Sequence, residues 1–195
     1  MKNRFKVLLL ILAIFSITSS SAQTYVVDAG HSLFQSKVIR FGVVPVVGRF
    51  TDVNGSLTFD ANDLTLTKAD ISIKAASYEA NNDAGEEAVR SAAFLNVAEF
   101  PEILFELKSL TEQEGDYVAT GTLEIHGVKK EIECLVTILG PSIDLPTKKQ
   151  SVGIMGSLII DRTEFEVGRE MKLPNGTVII DNSVAIDFVI LALAE

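Results

Sequence analysis

Residues 121–132, GTLEIHGVKKEI, restrict what this chain can become more than any other stretch. Leu123 and Ile125 alternate with Thr122 and Glu124, and His126-Gly127 then interrupts the run. Past the interruption, Ile132, Cys134, Val136 and Ile138 alternate with largely more polar neighbours. Period-two alternation on both sides of a Gly-containing break reads as two antiparallel strands joined by a tight turn. One face of such a ribbon is apolar and has to be covered. What covers it decides whether the enclosed space is packed with side chains or left for a ligand.

The same alternation recurs along most of the chain. Tyr25 to Asp28 starts a strand that Ala29-Gly30 turns, and His31 to Arg40 extends with Phe34, Val38 and Arg40 on one face. Gly42 and Pro45 break or bend it, Val46 to Phe59 resumes, and Asn54-Gly55 carries the signal of a two-residue hairpin. Leu57, Phe59, Leu64, Leu66, Ile71 and Ile73 continue past a polar Asn62-Asp63 turn. Residues 81–90 lack the pattern. Good helix formers fill Ala84 to Phe94, with Asp83 as the expected N-cap and Glu86 three residues on. Strands return at Ile103 to Leu107, Tyr117 to Ile125, Glu131 to Leu139, Val152 to Ile160 and Val184 to Ile190. Pro141 to Lys149 reads as a polar loop and Arg162 to Gly168 as an irregular or one-turn segment. About eight short strands and one helix predict an all-β sandwich or closed antiparallel barrel.

The first 22 residues read as a leader rather than as fold. Lys2, Arg4 and Lys6 precede the apolar stretch Val7 to Ile17, followed by Ser19, Ser20, Ser21 and Ala22. That order is a signal peptide with cleavage expected after Ala22; the apolar stretch is short for a membrane anchor. No Cys follows it to take a lipid. The expected organisation is therefore a leader, 1–22, and one domain, 23–195, exported to a periplasm or secreted, with no stable membrane insertion. The full chain has 17 Lys and Arg against 26 Asp and Glu, and the leader holds three of the basic residues. Residues 23–195 are left with 14 basic and 26 acidic side chains, a net charge of −12. So acidic a surface argues against nucleic acid and anionic membranes as partners. One Cys excludes an internal disulfide, and Cys134, on the apolar side of its strand, reads as a buried inert thiol.

In order along nearly all of residues 24–193, the chain resembles the YceI-like lipocalin-fold family. "YVVDAGHSLFQSKV" is similar to the family's Asp-x-x-His-Ser signature, here Asp28, His31 and Ser32, and "VGRFTDVNGSLTFD" to its continuation. "FLNVAEFPEILFE", "GTLEIHGVKKEIE" and "IIDRTEFEVG" resemble three further family segments. The resemblance implies an eight-stranded antiparallel barrel around an elongated apolar tunnel, exported, often dimeric, binding a polyisoprenoid or other long lipid without chemistry or cofactor. One departure stands out. Family members usually carry a second His nine residues after the first, and an aromatic residue four before that; here these are Arg40 and Ser36.

Each candidate site residue has a plainer alternative. His31 and Ser32 offer polar contacts at a tunnel mouth, or else satisfy local backbone groups. Arg40 shares strand parity with Phe34, Ser36 and Val38, which turns a cation toward the apolar set. Its partner is then a ligand phosphate or carboxylate, or a protein acid such as Asp187 or Asp28, or it reaches solvent. Phe34, Phe50, Phe59, Phe94, Phe105, Phe165 and Phe188 are either tunnel lining or solid core. His126 reads as a turn residue, since two His and one Cys are too few for a recognisable metal set. Asn175-Gly176-Thr177 reads as a turn rather than a glycosylation acceptor. The leading expectation is an exported, non-enzymatic carrier of a long apolar amphiphile. A filled barrel that binds partners through its surface, or an enzyme acting on an isoprenoid-like substrate, are the alternatives.

Overall fold

The structure, a computed structural model, describes residues 22–60 and 65–195. The leader, Ala22 apart, and the Asn62-Asp63 turn lie outside the described residues. The strand segments are β1 (Ala22–Val27), β2 (Leu33–Arg40), β3 (Val44–Phe50), β4 (Val53–Asp60), β5 (Leu66–Lys74), β6 (Tyr78–Ala80), β7 (Glu102–Gln113), β8 (Asp116–Ile125), β9 (Val128–Ile143), β10 (Gln150–Asp161) and β11 (Ile180–Ala194). A single α-helix among the described residues, α1 (Asp83–Arg90), separates β6 from β7.

The register resolves these segments into eight strands. β1 and β2 are one strand bent at the 3-10 turn Ala29–His31, β3 and β4 one strand bent at Thr51-Asp52, and β5 and β6 one strand bent at the 3-10 turn Ala75–Ser77. Arg40 faces Val44, Phe34 faces Phe50, and Tyr25 faces Leu57, so β1–β2 and β3–β4 form one long antiparallel hairpin. β11 pairs with β10 along its length, with β2 through Val189 opposite Leu33, and with β1 through Val26 opposite Leu193. First and last strands thus close an antiparallel eight-stranded barrel, pairing edges that would otherwise stay open.

The 121–132 hairpin forms as its pattern requires. Ile125 pairs with Val128, and His126 and Gly127 make the two-residue link with φ of 53° and 75°. Positive φ at both central residues is the turn geometry whose twist matches the flanking strands. The ring of Phe100 covers this turn, 4.2 Å from the His126 ring centroid.

Three local expectations are corrected. Asn54-Gly55 makes no hairpin: Asn54 faces Ser72 and Gly55 faces Ile71 inside β4. Gly55 is needed because a Cβ there would strike the Asp70 carbonyl of the neighbouring strand. The helix is shorter than 84–94 and starts from a different cap. Asn82, not Asp83, accepts from Gly85 N at 3.4 Å, and the helix stops at Arg90, before Ala92 and Ala93. Glu86 secures this start by accepting from Ala80 N at 2.7 Å and pairing with Arg90. Finally, Pro141 lies within β9 rather than in a loop. It falls where the register with β10 shifts between Ser151 and Gly153, so its missing N–H interrupts no regular ladder.

Candidate functional site

The inward residues of the barrel do not fill it. They enclose a cavity of about 910 Å³, toward the upper end of the size range of small-molecule sites. Its wall draws residues from every strand from β2 round to β11, most of them alternate ones, as period-two geometry dictates. Leu123 and Ile125 come from β8, Ile132, Cys134 and Val136 from β9, and Ile186, Phe188 and Ile190 from β11. Ala84, Gly85, Ala88 and Val89 of α1 also line it, as do the β3 residues Val44 to Val47. The apolar side of this short helix thus forms part of the cavity wall.

The candidate phenylalanines divide. Phe34, Phe50, Phe94, Phe105 and Phe188 line the cavity. Phe34 stacks on Phe188 with centroids 5.3 Å apart, and Phe50 meets Tyr78 edge to face at 5.4 Å. Phe59 and Phe165 are buried but away from the lining, and Phe59 packs on Tyr25 in the solid core. Two wall glycines explain how rings fit here without filling the space. A Cβ at Gly121 would overlap the ring of Phe105, and one at Gly156 the ring of Phe188. Each ring therefore lies flat over a glycine of the neighbouring strand, leaving the middle open.

His31 and Ser32 sit outside the lining. Asp28 accepts from Gly30 N at 2.9 Å and contacts His31 Nδ1 at 2.8 Å. The Ser32 hydroxyl donates to the Asp28 carbonyl at 2.8 Å and accepts from Leu191 N at 3.1 Å. These two side chains hold the bend between β1 and β2. His126 is likewise in its turn, with Nδ1 buried and unbonded. Asn175 is in a turn as well, its side-chain oxygen accepting from Thr177 N at 3.0 Å.

Arg40 lines the cavity at the end of β2, with the parity that Phe34, Ser36 and Val38 set. The protein acids expected as its partners are elsewhere. Asp28 is engaged with Gly30 and His31, and Asp187 faces Gln35 across the strand pair. Arg40 instead lays its guanidinium over the Phe41 ring, 4.1 Å from the centroid, and has no ion pair among the described residues. It is exposed, as are the lining residues Val44, Pro45 and Val47 that follow it, which makes this the open end of the cavity.

Sequence reasoning missed Arg162, which also borders the cavity and is only 4% exposed. Nε donates to the Asp181 carbonyl at 3.0 Å and Nη1 to the Val167 carbonyl at 2.7 Å. Nη2 reaches the carbonyls of Ile180 and Arg169 at 3.1 and 3.4 Å and Asn182 Oδ1 at 3.1 Å. Burial pushes this guanidinium below its ordinary value, while Asp161, Glu170 and Asp181 pull it back. Only its place in the segment "IIDRTEFEVG" marked it beforehand. Tyr78, also missed, is buried against the cavity with Ser36 bonded to its hydroxyl, and burial raises its pKa.

Cys134 is buried and faces the cavity, and desolvation pushes its thiol up to about 11. Among the described residues no group of three or more His, Cys, Asp or Glu is placed to hold a metal. No described helix is long and apolar enough to cross a membrane.

The family model for the YceI-like domain matches residues 25–192. A UPF0312 protein of Shewanella denitrificans is 29% identical over 184 residues, covering 93% of this chain and 96% of the relative. Among solved structures, Burkholderia cenocepacia BcnA superposes with a TM-score of 0.72 at 21% identity, covering 85% of this chain and 98% of BcnA. A polyisoprenoid-binding domain from Saccharophagus degradans gives 0.66 at 17% identity, covering 88% and 98%. At those identities the two structures speak for the fold.

Proposed function

The chain belongs to the YceI-like domain family, and from that premise we propose that it is an exported carrier that holds one long apolar amphiphile, a polyisoprenoid or a fatty-acyl lipid, inside the barrel without transforming it. The observation that supports this most is the apolar cavity of about 910 Å³. An eight-stranded barrel can fill its interior with side chains, and this one does not. Each CH2 transferred from water to such a wall contributes about 0.8 kcal/mol before the costs of binding. A long chain therefore needs few polar contacts. The binding of a polyisoprenoid by the Saccharophagus domain agrees with this ligand class. The N-terminal leader motif supports export to a periplasm or the medium.

Cys134 supplies the test, because it reports from the wall of the cavity. With its thiol near 11, native protein at pH 8 should react with N-ethylmaleimide on the order of 100-fold more slowly than unfolded chain, as only thiolate attacks. The native rate should climb between pH 8 and 11. Saturating geranylgeraniol or palmitate should slow it further. Labelling that is indifferent to both lipids, with no lipid bound at equilibrium, would overturn the carrier reading.

A further inference from the structure

We infer that the amphiphile has an anionic head, a phosphate or a carboxylate, and that Arg40 selects it at the cavity's open end; this rests on the carrier reading above. The first observation is the sign of the lining. The full chain carries 26 Asp and Glu against 17 Lys and Arg, yet among the described residues no Asp or Glu lines the cavity while two arginines do. An acidic protein whose described carboxylates all lie off the cavity wall presents a positive interior to anything that enters.

The two arginines are not equivalent. Arg162 is buried, and its donors are directed at four main-chain carbonyls and the Asn182 side chain. Those contacts tie a segment of backbone together and consume the fork. Arg40 has no carboxylate partner among the described residues, and its guanidinium lies over the face of the Phe41 ring. A ring beneath the guanidinium plane leaves the N–H groups at its edge free, and edge-on is how a guanidinium pairs with phosphate or carboxylate.

Arg40 ends the inward row Phe34, Ser36, Val38, so a chain lying along that row brings its terminus to the guanidinium. Asn81 and Asn82, from the segment that leads into α1, border the same cavity and add polar groups at the α1 side. A wall that is apolar along its length and cationic at its exposed end matches an amphiphile with one charged terminus. A neutral alcohol or hydrocarbon would leave that cation without a function in binding.

The test holds the chain constant and varies the head. Lipid-free protein is titrated with geranylgeranyl phosphate, geranylgeranoic acid and geranylgeraniol, and the 1:1 complexes are followed by native mass spectrometry at fixed ionic strength. Wild type should prefer at least one anion to the alcohol by about tenfold, the worth of one charge-assisted hydrogen bond. Arg40→Gln should collapse that ratio to within about twofold of unity, and Lys37→Gln, an outward charge on the same strand, should leave it intact. The phosphate and carboxylate arms tell which head the protein prefers. A wild-type ratio near unity, or a ratio that survives Arg40→Gln, overturns this inference while leaving the carrier reading standing. Failure of all three lipids to bind overturns the carrier reading and this inference with it.

Discussion

Replacing Arg162 with Ala is expected to cost about 3–5 kcal/mol of stability, the loss typical of removing one side of a buried charged network. The residue is only 4% exposed, and its guanidinium binds carbonyls of Val167, Arg169, Ile180 and Asp181 together with Asn182 Oδ1. Truncation removes the charge, opens a void, and strands several buried acceptors at once. For a domain of this size the melting temperature should fall by about 10–15 °C. Arg162→Lys keeps a charge but loses the planar fork, so it should recover less than half of the difference. Hydrogen exchange should accelerate first in residues 167–182, because that segment is what the guanidinium holds against the barrel. A fall of less than 3 °C would mean that the segment is held by something else.

The second large effect concerns the cavity directly. Ala119 of β8 is buried and lines the empty space, so Ala119→Trp should occupy part of it with a ring of roughly 150–250 Å² surface. Uptake of a long isoprenoid or acyl chain should weaken by at least about tenfold, since the ring and the chain compete for one volume. Overpacking costs about 1–3 kcal/mol where a core is already full, but here the ring enters open apolar space, and the melting temperature should stay within about 5 °C of wild type. Thr120→Trp is the control: it is the next residue on β8 and points to the other face, so it should leave uptake unchanged. A folded Ala119→Trp protein that binds lipid as wild type does would place the ligand outside the barrel.

How far the sequence foretold this site depends on what kind of signal each residue carries. Strand parity is a strict geometric rule, so Arg40 could be assigned to the side of Phe34 and Val38, and it lines the cavity with them. The His126-Gly127 turn was legible because positive φ at two successive residues leaves few residue choices. Asn54-Gly55 carries the same dipeptide signal for another reason, the close approach of the Asp70 carbonyl. A sequence does not separate those two uses of glycine. The tip that does reverse the chain nearby, Phe41 to Val43, is apolar and gave only the Gly42 break. The seven phenylalanines illustrate a deeper limit. Phe188 on a hollow and Phe59 in solid core obey one alternation pattern, and what distinguishes them is Gly156, a neighbour from another strand that makes room for the Phe188 ring. Arg162 was hidden because its partners are mostly main-chain carbonyls, which any sequence provides.

On the carrier reading, the barrel holds a lipid in its native setting. Native mass spectrometry of the protein purified from its own host, followed by solvent extraction and identification of the released molecule, reads out what it holds. One discrete added mass per chain is expected, extracting as an isoprenoid or acyl amphiphile with a phosphate or carboxylate terminus. Protein that is clean of adducts, and stays so after incubation with a mixture of isoprenoids and fatty acids, would contradict the carrier reading.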